Sequence, residues 1–231
     1  KLNNFLSLPT NIDNEDTKSQ FKSNFPKKDE KRERIIIKPN KNPISNIKLP
    51  NGIESLNNNE IEENIGKIVK STNIKNDISV CLNQASNLDL LALKVKRNTN
   101  QSLEIVIPSI EGKSTSTRIL LLIEEGAKLD LLQIFLGKKN SAQNHLIELK
   151  LESKVELTHG LLSLGEKKES SAICTVAVEQ AEKSKYSLHS IHQGWDYARF
   201  EPRIIQNNGE ASTIIKGLQV TKSNEQIATH S

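Results

Sequence analysis

From about residue 101 onward, a turn followed by alternating small and apolar positions recurs about every 28 residues. The clearest copies are Gly126-Ala127-Lys128-Leu129-Asp130-Leu131, Ser153-Lys154-Val155-Glu156-Leu157-Thr158 and Gly209-Glu210-Ala211-Ser212-Thr213-Ile214. Lys183-Ser184-Lys185-Tyr186-Ser187-Leu188 is a poorer one. A unit of this size cannot bury its own apolar face, but stacked copies can bury one another's. Strand-like runs fill the same half of the chain, separated by Gly, Asn, Ser and Lys. They are Leu103–Ile107, Arg118–Ile123, Leu129–Leu136, His145–Leu151, Val155–Leu164, Ala172–Val178, Tyr186–His192, Arg203–Gln206 and Ser212–Val220. No long amphipathic helix separates them, which argues against alternating βαβ units. The pattern predicts a mainly β chain, a β-solenoid or β-helix, with a sandwich of hairpins as the competitor.

Composition agrees with a narrow interior. Aromatic residues are 3% of the chain, Met is absent, and hydrophobic residues reach only 35%. Ladders of Ile, Leu, Val and Ala must supply the core. Residues 1–60 hold five of the seven prolines and runs such as Asn57-Asn58-Asn59, and so read as a linker or poorly ordered segment. Arg34-Ile35-Ile36-Ile37-Lys38 is the exception, a β-branched run bounded by Pro39 that reads as a first or edge strand. Residues 61–100 read as a mixed helical segment. Helical spacing is seen in Glu60–Val69, through Ile61, Ile65, Ile68 and Val69, and in Asn83–Leu93, through Leu88, Leu91 and Ala92. Residues 101–231 form the β core.

The net charge of +4 comes from 32 basic and 28 acidic side chains whose signs are interleaved. The most basic stretch, Lys27–Arg34, is interrupted by Asp29, Glu30 and Glu33. A nucleic-acid footprint wants basic residues gathered on one face, so no nucleic-acid partner is expected. No apolar run approaches the roughly 18 residues of a spanning helix, and Lys1–Phe5 has no apolar leader, so no membrane partner is expected either.

Candidate chemistry is sparse. Of five histidines (His145, His159, His189, His192 and His230), only His189 and His192 are close in sequence. On a strand, positions three apart point to opposite faces, so they do not make a joint metal site. Cys174 lies in an apolar run and reads as a small core residue; Cys81 stands far from it, with no paired spacing. Neighbouring acids such as Glu124-Glu125 would face opposite ways on a strand. No catalytic residue and no metal ligand is assigned. Gly194–Arg203 is the densest cluster of unusual residues, and Trp195, Tyr197 and Arg199 are the expected partner contacts.

Several stretches resemble the SufB/SufD family of iron–sulfur cluster assembly proteins, its SufD branch in particular. Ser114–Ala127 is similar to an arginine-led strand that ends in a Gly-Ala turn. Asn144–Leu149 and Val155–His159 resemble the next rungs. Ser187–Ser190, Gly194, Ala198-Arg199, Asn208–Ala211, Lys216–Leu218 and Gln226–Ser231 follow in the family's order, with Ala228 and Ser231 departing from it. The resemblance covers residues 101–231. It implies a right-handed parallel β-helix. It further implies a non-catalytic scaffold subunit that pairs with a SufB-type paralogue and a SufC-type ATPase, in bacterial cytoplasm or plastid stroma. The family's cluster ligands and ATPase-holding helices belong to a C-terminal part beyond Ser231, so no ligand carries over to a residue here. The iron–sulfur cluster and a reduced flavin belong to the whole complex. A solenoid open at the Ser231 end would also template self-association. Two other classes stay open on the residues alone: a β-solenoid enzyme acting on acidic polysaccharide, and a purely structural solenoid.

Overall fold

The computed structural model describes residues 26–38, 49–86, 89–166 and 168–231. Much of the expected linker, residues 1–25 and 39–48, lies outside the described residues. The elements run β1 (Glu33–Ile36), β2 (Ile53–Ser55), α1 (Asn58–Asn64), α2 (Lys67–Ser71), α3 (Ile78–Ala85), β3 (Asp89–Val95), β4 (Asn100–Pro108), β5 (Ser114–Ile123), β6 (Lys128–Leu136), β7 (Ala142–Leu151), β8 (Glu156–Leu164), β9 (Ser171–Gln180), β10 (Lys185–Gln193), β11 (Tyr197–Gln206), β12 (Ser212–Val220) and β13 (Gln226–Thr229).

From β3 onward, successive strands alternate between two sheets. One has the order β1-β4-β6-β8-β10-β12, the other β13-β11-β9-β7-β5-β3-β2. Apart from the antiparallel β2–β3 pair, all pairings are parallel, and the chain is a parallel β-solenoid of about five turns. The repeat fixes the register. Asn100 pairs with Lys128, Lys128 with Glu156, Glu156 with Lys185 and Lys185 with Ser212. Subtracting the paired numbers gives rungs of 28, 28, 29 and 27 residues. The run at Arg34–Lys38 is an edge strand as expected, with β1 pairing only β4.

Each rung has to reverse direction twice, and the reversals are made by left-handed residues. Asn98, Gly126, Lys154, Lys183 and Glu210 have positive φ and precede β4, β6, β8, β10 and β12. Gly112, Asn140, Gly194 and Ser223 do the same before β5, β7, β11 and β13. Most of these are not glycine, so the short turns hold lysine, asparagine and acidic residues in a conformation that L side chains resist. The stacking of the rungs must offset that strain.

Between the sheets lies a continuous aliphatic core. Leu103, Leu131 and Leu188 come from one sheet, and Ile119, Ile147 and Val176 from the other; all six are buried. Each such side chain contributes about 1.5–3 kcal/mol on burial, before its ordering entropy is subtracted.

The three helices cover the outer face of the seven-stranded sheet. Leu56, Ile68, Val69, Ile74 and Val80 pack on Ala92, Leu120, Leu146 and Ala177. The Glu60–Val69 pattern is two short helices, not one. Left-handed Gly66 breaks it, and a capping box between Asn57 and Glu60 starts α1. The helical reading of Asn83–Leu93 is corrected. Its first residues end α3, whereas Leu91 and Ala92 lie on β3. Leu91, Leu93 and Val95 enter the solenoid core while Ala92 meets the helices, so both faces of β3 are apolar and the period-2 signal vanishes.

Candidate functional site

The corner between β10 and β11 carries the cluster picked out in the sequence. Trp195 is fully buried with Ala172, Ala198 and Ile227, so in this chain its ring packs the corner and is not presented to solvent. The slot for it is made by glycines at the same corner of earlier rungs. A Cβ on Gly137 would lie 2.2 Å from the indole ring, and one on Gly165 would lie 2.4 Å from the Gly194 carbonyl oxygen. Gly137→Ala should therefore destabilise the chain by about 1–3 kcal/mol through overpacking. Urea unfolding followed by the fluorescence of the single tryptophan reads this directly; an unchanged midpoint would mean that the slot has room to relax.

Tyr197 is half-buried and packs on Ala142 and Ile173 at the outer edge of the seven-stranded sheet. Arg199, two positions along the same face, enters a charge network. Its Nη2 donates to Glu201 Oε1 at 2.6 Å and lies 3.5 Å from Asp77 Oδ2. Burial disfavours the Arg199 charge, but Glu201 and Asp77 outweigh it and raise its pKa. Asp77 is the N-cap of α3 and accepts from the Ser79 N–H at 2.9 Å. Burial acts to raise the Asp77 pKa, but Ser79 and the two arginines prevail and lower it. Glu201 is nearly inaccessible and also faces Arg203 at 3.8 Å and His230 at 3.5 Å. Arg203 reaches His230 Nδ1 at 2.9 Å and its carbonyl oxygen at 3.2 Å. The network thus joins the helical layer, β11 and the end of β13.

Polar groups also line the solenoid interior. His159 is fully buried; its Nε2 donates to Gln133 Oε1 at 2.8 Å and its Nδ1 accepts from the Tyr186 hydroxyl at 3.0 Å. Burial keeps the ring neutral, and with the Gln133 amide oxygen taking the Nε2 proton, Nδ1 is left to accept from the hydroxyl. His145 stacks on Phe135 with ring centroids 4.1 Å apart, and His192 packs against Phe200 at 4.7 Å. Burial pushes the pKa of His145 and of His159 down to about 3, and that of His192 to about 4. His189, three residues before His192, is exposed on the opposite face, as strand geometry requires. Cys174 is buried among these residues and its thiol pKa is raised by burial, while Cys81 is exposed on α3. A buried thiol of that kind is a core group, not a nucleophile.

Sequence reasoning missed one feature altogether. Beneath α2, Arg118 donates from Nε and Nη2 to Glu148 Oε1 at 2.9 and 2.6 Å. Glu148 Oε2 accepts from the Gly66 N–H at 3.0 Å and the Val69 N–H at 3.4 Å, which seats the start of α2 on the sheet. Asn83 and Asn144 complete the joint. Asn83 Nδ2 donates to the Asn144 carbonyl oxygen at 3.0 Å, and Asn144 Nδ2 to that of Ser79 at 2.9 Å.

Among the described residues no group of three or more His, Cys, Asp or Glu side chains is placed to hold a metal ion, and no helix is long and apolar enough to cross a membrane. The arrangement can bind and position; its buried imidazoles and thiol are shut away from substrates. Comparison with curated proteins and with solved structures finds no match. A family model described as "SUF system FeS cluster assembly, SufBD core domain" matches residues 105–231, the stretch that builds most of the rungs. The chain therefore belongs to the SufBD core-domain family of iron–sulfur cluster assembly proteins.

Proposed function

We propose that this chain is a SufD-like, non-catalytic scaffold subunit. It pairs with a SufB-type paralogue and a SufC-type ATPase, in bacterial cytoplasm or plastid stroma, and the iron–sulfur cluster is the cargo of the complex. The observation that carries this reading is the SufBD core match laid over a rigid stack of rungs. The state of the Cys174 thiol is in keeping with a binding role. Cys174 is sealed in the core with a raised pKa, so at neutral pH it supplies no thiolate. Tyr197 and Arg199 are the contacts assigned to the partner. They are only partly covered in this chain; Arg199 is itself part of the network that joins helices to sheet, and Tyr197 lies two positions before it on the same strand.

The open cavity at the Trp195 corner gives no ground for assigning a flavin site to this chain. That cavity, about 360 Å³, is lined by Gly165, Glu166, Gln193, Gly194, Val220, Lys222 and Glu225. It offers no aromatic wall for a flat ring, because the indole of Trp195 is buried. No step through flavin is assigned to this chain.

Co-expression with SufB-type and SufC-type partners, each omitted in turn, tests the assignment. A ternary complex that assembles clusters from iron and sulfide is expected. Replacing both contacts, Tyr197→Ala with Arg199→Ala, should weaken retention of the partner about tenfold or more with the circular dichroism unchanged. Failure of the parent chain to associate in any combination would overturn the scaffold reading. Normal assembly by the double variant would overturn only the choice of contacts.

A further inference from the structure

The chain has two Asn-Gly dipeptides, Asn51-Gly52 and Asn208-Gly209, and the fold treats them in opposite ways. Both sit in turns, where Asn and Gly belong. Asn51-Gly52 is pinned. The Gly52 carbonyl oxygen accepts from the Lys96 N–H at 2.8 Å and from the Thr99 hydroxyl at 3.4 Å, and the Asn51 carbonyl oxygen accepts from Gln101 Nε2 at 3.1 Å. The Ile53 N–H closes the turn on the Pro50 carbonyl oxygen at 3.0 Å, and a Cβ on Gly52 would lie 2.4 Å from Thr99 Oγ1.

Asn208-Gly209 is free. Residues 206–210 are exposed, and nothing lies within 4 Å of a Cβ built on Gly209. Neither residue makes a hydrogen bond to the described residues. The rungs explain why. At this corner the earlier turns are stitched to one another. The Asn98 N–H donates to the Glu125 carbonyl oxygen at 3.2 Å, that of Gly126 to Ser153 at 3.0 Å, and that of Lys154 to Glu182 at 3.2 Å. The connections 96–99, 124–127, 152–155 and 181–184 hold four residues each, whereas 207–211 holds five. Among the described residues the turn-to-turn bonds end at Glu182, and the longer turn stands off the ladder.

We propose that Asn208 is a site of spontaneous deamidation in the folded protein. The Gly209 backbone nitrogen attacks the side-chain amide carbon of Asn208. The new C–N bond closes a succinimide ring, and the amide nitrogen leaves as ammonia with the proton from the Gly209 nitrogen. Water then opens the ring at either carbonyl and leaves aspartate or isoaspartate at position 208. Water is the sole co-reactant. Glycine is the follower that favours this attack, because no Cβ screens its nitrogen and its backbone turns freely. The product adds a negative charge beside Glu210, which already faces Lys183 at 3.6 Å. Isoaspartate also lengthens by one backbone carbon the turn that leads into β12, a strand paired only with β10 among the described residues. The site does not depend on the scaffold reading.

The test uses the full chain, aged at mildly alkaline pH and then digested with trypsin. The peptide Ile204–Lys216 reports Asn208 and Leu49–Lys67 reports Asn51, and fragmentation places each amide-to-acid mass gain. Asn208 should convert about tenfold faster than Asn51, whose turn must first open locally. The two rates should converge in urea. Equal rates in the folded chain would overturn the proposal. So would a lead for Asn208 that urea leaves undiminished, because the neighbouring sequence and not the fold would then set it. Gly209→Ala fits the open turn, since Gly209 is not left-handed, and should slow the conversion several-fold with the circular dichroism unchanged. An unchanged rate in that variant would sink the succinimide route. A product that an isoaspartate-specific carboxyl methyltransferase fails to label would sink it equally.

Discussion

Between pH 7 and pH 5 the chain is expected to lose up to about 6 kcal/mol of stability, with the sealed imidazoles of His145, His159 and His192 setting the slope. In the unfolded chain each ring titrates near 6.5, while in the folded chain burial lowers the pKa to about 3, 3 and 4. The unfolded state therefore binds protons that the folded state refuses. Stability is full above pH 6.5 and falls as the pH drops below it, levelling off only near the folded values. At pH 5 each ring stands about 1.5 pH units into that window, or about 2 kcal/mol. Three such losses are comparable with the whole stability of an ordinary domain, about 5–15 kcal/mol. Urea midpoints taken at half-unit steps of pH from 7 to 5 measure the slope, in a range where most carboxylates stay ionised. His145→Phe keeps an aromatic ring on Phe135 and should remove about a third of the pH dependence. A flat profile would mean that water reaches the interior and the rings protonate in place.

The other large effect belongs to Glu148. Glu148→Ala leaves the Arg118 guanidinium buried without a counter-charge and removes the acceptor for the Gly66 and Val69 N–H groups. Breaking a buried pair from one side costs about 3–5 kcal/mol. The double replacement Arg118→Met with Glu148→Leu should cost much less, because no charge is then stranded. Hydrogen exchange adds a spatial signature. In Glu148→Ala the amides of α1, α2 and α3 should exchange faster while those of β7 and β9 stay protected. Loss of protection throughout the rungs would instead mean that the helical layer and the solenoid unfold as one unit.

The rungs were legible in the sequence because a repeat writes its own register. A period of about 28 residues placed the copies at Gly126, Ser153, Lys183 and Gly209, and the paired strands repeat at 27 to 29. What stayed hidden was what the period brings together without resembling a repeat. Arg118 and Glu148 are 30 residues apart; Arg118 pairs in register with Leu146, and Glu148 is the next residue on the same face. Nothing local marks either one. Gly137 and Gly165 look like ordinary turn glycines until the corner of the stack sets them against Trp195, which therefore read as a contact residue. The β3 strand was obscured for another reason, since packing on both faces erases alternation.

The glycine corner implies something about how such a chain can change its length. Gly137, Gly165 and Gly194 stand at one corner of three consecutive turns of the solenoid, and each position answers to those above and below it. An insertion of a few residues inside a strand would throw every later side chain out of phase with its column. A duplication of one whole turn would keep each column aligned: glycine on glycine, left-handed turn on left-handed turn. Growth and shortening of this architecture are thus quantised in complete turns.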